Sequence, residues 1–139
     1  MGLQIREREV EGIAILGLDG RLVLGYEASG LRKRLLGFID EARVNVILDL
    51  KAVEFIDSTG LGTLVMAHSA MKQAGGAAKL LHLSKRHIEL LILTRLTTLF
   101  EVFDDETDAI NSFFPDREIK RFDILQFVKS RDSQQEEES

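Results

Sequence analysis

The sequence predicts an α/β fold, a single domain in which helices pack on a mixed β-sheet. Three observations predict it. The chain opens on alternating apolar residues, Val44–Leu50 is a short and nearly unbroken apolar run, and a helical stripe links that run to a second one at Lys79–Leu83. Strands that alternate with helices after an initial hairpin build a sheet with helices against it.

Leu3 and Ile5 alternate with polar neighbours, and Ile13, Ile15, Leu16 and Leu18 follow Glu11-Gly12, which predicts two strands joined at a turn. Leu31, Leu35, Phe38, Ile39 and Ala42 recur at helical spacing, with Arg32, Lys33, Arg34 and Glu41 on the other face. Gly30 and Gly37 weaken that helix, each by about 1 kcal/mol relative to Ala. Val44, Val46, Ile47, Leu48 and Leu50 read as a strand buried on both faces, and Val53 to Ile56 extends its apolar character.

Leu61, Leu64, Val65, His68 and Met71 form one helical stripe that stops at Gly75-Gly76. Lys79–Leu83 is then a short strand, parallel to Val44–Leu50. Ser84 caps a helix that buries Ile88, Leu91 and Ile92. Phe100 to Phe103 alternates as a last strand, and Asp104 or Asp105 caps a helix with Ala109, Ile110 and Phe113. Pro115 breaks that pattern. Beyond it, Arg117 to Lys129 reads as an amphipathic helix presenting Ile119, Phe122, Leu125 and Val128. The organisation expected is therefore a domain over 1–114, an appended helix within 115–131 and an acidic, disordered tail at 132–139.

Composition narrows the function. The net charge of −5 lacks the basic footprint of a general nucleic-acid binder. Four of those five charges lie in the last eight residues, which leaves −1 over residues 1–131. With no cysteine there is no disulfide framework, thiol nucleophile or Cys-based zinc site. The first eight residues carry no apolar stretch of the signal-peptide kind, and no window reaches the length of a membrane span, so neither is expected.

The stretch with chemical content is Phe55-Ile56-Asp57-Ser58-Thr59-Gly60-Leu61-Gly62, a turn from a strand end to a helix start. Asp57 or Ser58 can accept hydrogen bonds from the first free helix amides, and Gly60 permits close backbone approach. A helix N-terminus also favours a phosphoryl group on Ser58, while Asp57 beside it opposes one. Capping and modification of Ser58 both stand at this point. An aspartic-protease triplet fails by one residue too many, a nucleophile elbow because Ile56 stands where Gly is needed, and a phosphate loop because no Gly-Lys-Ser/Thr occurs. His68, His82 and His87 show no metal-ligand spacing and no order of a catalytic triad. No catalytic residue, metal site or cofactor is expected.

The same stretch resembles the signature of the STAS domain, the family of anti-sigma factor antagonists. Val46 to Leu50, then Val53-x-Phe55-Ile56-Asp57-Ser58-Thr59-Gly60-Leu61-Gly62, is similar to the family's central strand, loop and helix start. Gly20-Arg21-Leu22, Gly75-Gly76, Lys79–Leu83, Leu91 to Leu96 and Phe100 to Phe103 extend the resemblance over about residues 3–114. It implies a cytoplasmic switch without enzymatic activity. Unphosphorylated, such a protein binds an anti-sigma factor that is also a serine kinase, and so frees a sigma factor. Phosphorylated, it lets go until a phosphatase resets it.

The residue matching the family's phosphoacceptor is Ser58 rather than Thr59, and Asp57, Ser58, Thr59, Gly60, Leu61 and Gly62 match its partner-binding turn. Leu61 belongs to the core stripe as well. Gly20-Arg21-Leu22-Val23 departs from the Gly-x-Leu-Asp common in antagonists, so one carboxylate near the site is missing. The alternative is a STAS protein that does not switch, a scaffold of a stress-signalling complex or an accessory subunit of a lipid transporter. The Arg117–Lys129 helix either caps the domain's own core or docks on a second copy as a homodimer.

Overall fold

The computed structural model describes residues 2–120 together with Ile124. Five strands form one sheet in the order β1-β2-β3-β4-β5. They are β1 (Leu3–Val10), β2 (Ile13–Leu22), β3 (Asn45–Ile56), β4 (Ala77–Leu81) and β5 (Val102–Phe103). The first pair is antiparallel and every later pair is parallel, so the mixed sheet is as expected. The helices are α1 (Tyr26–Asp40), α2 (Ser58–Gln73), α3 (Lys85–Leu93) and α4 (Glu106–Asn111).

Side-chain alternation along the strands explains the layering. Leu16 and Leu18 of β2, Val46, Leu48 and Leu50 of β3 and Leu80 of β4 share one core with Leu31, Leu35 and Phe38 of α1, Leu64 and Met71 of α2, and Ile88 and Leu91 of α3. Ile13, Ile15, Ile47, Leu81 and Phe103 point the other way and are covered by Ala109 and Ile110 of α4. The unbroken apolarity of Val44–Leu50 is thus the mark of a strand with helices on both sides.

Local differences from the expected elements have local causes. Ala42 lies past the end of α1, in left-handed backbone with φ 60°. The β4 strand ends at Leu81 because His82 turns to φ 58°. Only Val102 and Phe103 form β5, and they pair with Leu80 and Leu81 at the end of β4. Phe100 is buried in the main core instead, with its ring edge-on to His68. Ile92 is half-buried, and Phe113 lies beyond α4 but still packs on the second face.

The helix expected at Arg117–Lys129 is not helical over residues 117–120. There the side chains serve long-range contacts. Arg117 forms a bidentate pair with Glu11 of the β1–β2 turn and stacks on Phe114, and the Lys120 amide donates to Asp108. Ile119 packs on the second face, and Ile124 is helical and buried with the main core. The seam of Phe122, Leu125 and Val128, the homodimer it implied and the tail at 132–139 lie outside the described residues.

Candidate functional site

Leu22 at the end of β2 pairs with Ile56 at the end of β3, so two strand ends and the start of α2 meet at one place. Asp57 is the residue that caps α2. Its backbone is extended, and its Oδ1 accepts from the Gly60 amide at 2.8 Å. Its Oδ2 accepts from the Leu24 amide at 2.9 Å, in the loop between β2 and α1. The Leu24 amide first, and the Gly60 amide second, hold this carboxyl below the usual carboxylate range. Asp57 therefore ties the β2–α1 loop to the head of α2 as an ionised group. The Asp57 amide donates to the Leu22 carbonyl at 3.3 Å.

Gly60 sits against that same carbonyl. A Cβ on Gly60 would lie 2.0 Å from the Leu22 oxygen, so only glycine lets the helix approach the strand this closely. Leu61, 7% exposed, enters the main core beside Leu64. Thr63 is buried, and its hydroxyl donates to the Thr59 carbonyl at 3.1 Å. Ser58, Thr59 and Gly62 are exposed, and a Cβ on Gly62 would meet open space. The Ser58 hydroxyl has no hydrogen-bond partner among the described residues.

The six residues singled out in the sequence thus share one turn but divide by role. Asp57, Gly60 and Leu61 fasten the turn to the sheet and core. Ser58, Thr59 and Gly62 form its outer surface. A phosphoryl group on Ser58 would meet the positive end of α2 and, on its inner side, the ionised Asp57. Val23, where the family often has Asp, is half-buried and supplies no carboxylate. The β2–α1 loop is held through the Leu24 amide, which donates to Asp57.

None of the three histidines is hydrogen-bonded to Ser58 among the described residues. The buried His87 takes the Ser84 amide on Nδ1 at 3.1 Å and faces the Val53 carbonyl through Nε2 at 3.0 Å. An amide can only donate and a carbonyl only accept, so these partners require the neutral ring with its proton on Nε2. Burial, ahead of the opposing Val53 contact, holds its pKa below the ordinary histidine value. His82 pairs with Asp49 at 3.0 Å. That pairing was hidden in the sequence, since the two residues meet only because β3 and β4 are neighbours.

Another role missed by sequence reading is that of Lys79. Its buried ammonium joins Glu101 at 2.8 Å and Ser112 at 2.9 Å, anchoring the segment after α4 to the sheet. Among the described residues, no group of three or more His, Cys, Asp or Glu side chains is arranged to hold a metal ion. No helix among them is long and apolar enough to cross a membrane.

Comparison with known proteins gives a consistent result. The STAS domain family model matches residues 4–109. The chain is 35% identical over 102 residues to the anti-sigma-B factor antagonist of Bacillus subtilis, covering 73% of this chain and 92% of that protein. It is 26% identical over 112 residues to the anti-sigma F factor antagonist of Paenibacillus polymyxa, covering 79% and 94%. In fold it is similar to a protein of Thermotoga maritima, with a TM-score of 0.74 at 24% identity over 78% of this chain and 93% of that one.

Proposed function

The chain belongs to the STAS-domain family, and on that premise we propose that it is an anti-sigma factor antagonist switched by phosphorylation of Ser58. The observation that carries this reading is the outward Ser58 hydroxyl on a turn whose neighbouring residues are fixed to the sheet. The names of the relatives supply the partner class, an anti-sigma factor. In its unmodified form the turn offers Ser58, Thr59 and Gly62 as a small, nearly neutral contact surface. A phosphoserine adds about −1.5 to −2 charge there, and desolvating that dianion beside Asp57 opposes rebinding. A phosphatase would restore the neutral surface.

The test is incubation of the protein with an anti-sigma factor kinase from the same genome and ATP. One phosphoryl group is expected, mapped to Ser58 by mass spectrometry and lost in Ser58→Ala. Ser58→Asp is expected to bind the kinase at least about tenfold more weakly, the equivalent of about 1.4 kcal/mol. Undiminished labelling of Ser58→Ala would overturn the site assignment.

A further inference from the structure

The β3 strand is twelve residues long, but β4 pairs only with its Asn45–Asp49. Leu50–Ile56 has β2 on one side and, among the described residues, no strand on the other. Such an edge leaves backbone groups without a ladder partner, which is costly where the residue is buried. At the buried Val53 a side chain takes the place of the missing strand. His87 Nε2 faces the Val53 carbonyl at 3.0 Å, and Nδ1 of the same ring accepts from the Ser84 amide at 3.1 Å. The His87 amide in turn donates to the Ser84 hydroxyl at 3.2 Å. One ring therefore both closes the cap of α3 and fastens α3 to β3. Little else holds this helix. Of its nine residues only His87, Ile88 and Leu91 are buried, and Leu93 is 82% exposed. A groove of about 210 Å³ lies between Arg86, Leu90 and Leu93 on α3 and Glu54, Phe55 and Ile56 on β3. A helix this short does not persist in water without packing.

We propose that His87 is a latch that releases α3 from the sheet in mild acid, ahead of unfolding of the sheet itself. An amide can only donate and a carbonyl can only accept, so the ring fits both partners in its neutral form alone. A proton added at Nδ1 sets two donors against each other at Ser84 and places a charge in a buried site. The charged groups on the two elements that meet there are Glu54 of β3 and Lys85, Arg86 and Glu89 of α3. Both ring nitrogens are already engaged, so neither carboxylate is hydrogen-bonded to the ring. Burial disfavours the charged ring, and the Val53 carbonyl opposes that effect only in part. Once α3 has let go, the ring is in water and titrates near the ordinary histidine value of about 6.5. Opening therefore takes up a proton below that value and is favoured by up to about tenfold per pH unit. The latch works whether or not Ser58 is modified. Its release uncovers Ile88 and Leu91 and the core beneath them.

Amide hydrogen exchange of the full chain, followed by NMR at pH 7 and pH 5 and corrected for intrinsic rates, tests this. Protection of the Ile88–Leu93 amides is expected to fall by on the order of tenfold between the two pH values. At both it is expected to lie at least about tenfold below that of the Leu16 and Leu48 amides, the mark of a local opening. In His87→Gln, which keeps His68 and His82, protection of α3 is expected to be the same at pH 7 and pH 5. The ring nitrogen shifts of the wild-type chain supply a check that needs no variant, with a neutral His87 protonated on Nε2 expected at pH 7. A charged ring or the opposite tautomer there would overturn the latch. So would unchanged α3 protection in the wild type, an equal fall in His87→Gln, or α3 amides as well protected as those of the sheet.

Discussion

Gly60 and Gly62 are two positions apart and have opposite requirements. Gly60→Ala drives a Cβ into the Leu22 carbonyl, 2.0 Å away, and should cost about 3 kcal/mol of stability by overpacking. Gly62→Ala meets nothing and replaces glycine inside a helix, so it should stabilise by about 0.5–1 kcal/mol. Denaturant titration of both variants checks the pair, and equal effects would contradict the geometry. His87 yields a prediction about pH. Its pKa is lowered in the fold, so its contribution is complete above the ordinary histidine value near 6.5 and is lost as pH falls below it. His87→Gln, which cannot titrate, should show a shallower fall in unfolding free energy between pH 7 and 5 than the wild type. In the sequence, Gly60 and Gly62 look alike and His87 is only a histidine near a helix start. What separates them is a carbonyl from a strand 38 residues upstream and the Val53 backbone, neither of which has a local signature.

Three helices end in the same way. After α1, α2 and α3, a residue in left-handed backbone is followed by an amide that reaches back to the last turn: Arg43 to Phe38, Gly76 to Met71 and Leu96 to Leu91. Only α2 has glycine at the left-handed position, Gly75, whereas α1 has Ala42 and α3 has Arg95. A side chain in that conformation costs roughly 1–2 kcal/mol, part of which glycine gives back in unfolded-chain entropy. Ala42→Gly should therefore raise stability by about 0.5 kcal/mol, and Gly75→Ala should lower it by about 1 kcal/mol, both read from chemical unfolding midpoints. The same contrast explains which helix ends could be read in advance. Gly75-Gly76 announced the end of α2, while Ala42 looked like one more apolar residue on the stripe of α1. The β3 strand and the α2 stripe were legible because burial repeats along them. The short β5 was not, since only its pairing with Leu80 and Leu81, far away in sequence, separates Val102 and Phe103 from the alternating Phe100 before them.

Across the molecule, the sheet is the plan and the turn at Ser58 is one of its edges. The opening hairpin, the parallel pairing of the Val44–Leu50 run with Lys79–Leu83 and the turn itself were legible from apolar spacing and one motif. The second face was not, because Arg117 and Lys120 are committed to Glu11 and Asp108, partners 106 and 12 residues away. Charge is distributed so that residues 1–131 carry only −1. Removal of residues 132–139, which contain no apolar side chain, should thus leave the melting temperature within about 1 °C while shifting electrophoretic mobility. The contact between Gly60 and the Leu22 carbonyl has a last consequence, for repeated use. A turn seated on a strand end without slack has nowhere to retreat when its outer face is altered, and nothing to rebuild when that alteration is removed. On the proposed switch, a phosphoryl group on Ser58 would therefore sit on a turn whose inner side is already in contact with the Leu22 carbonyl.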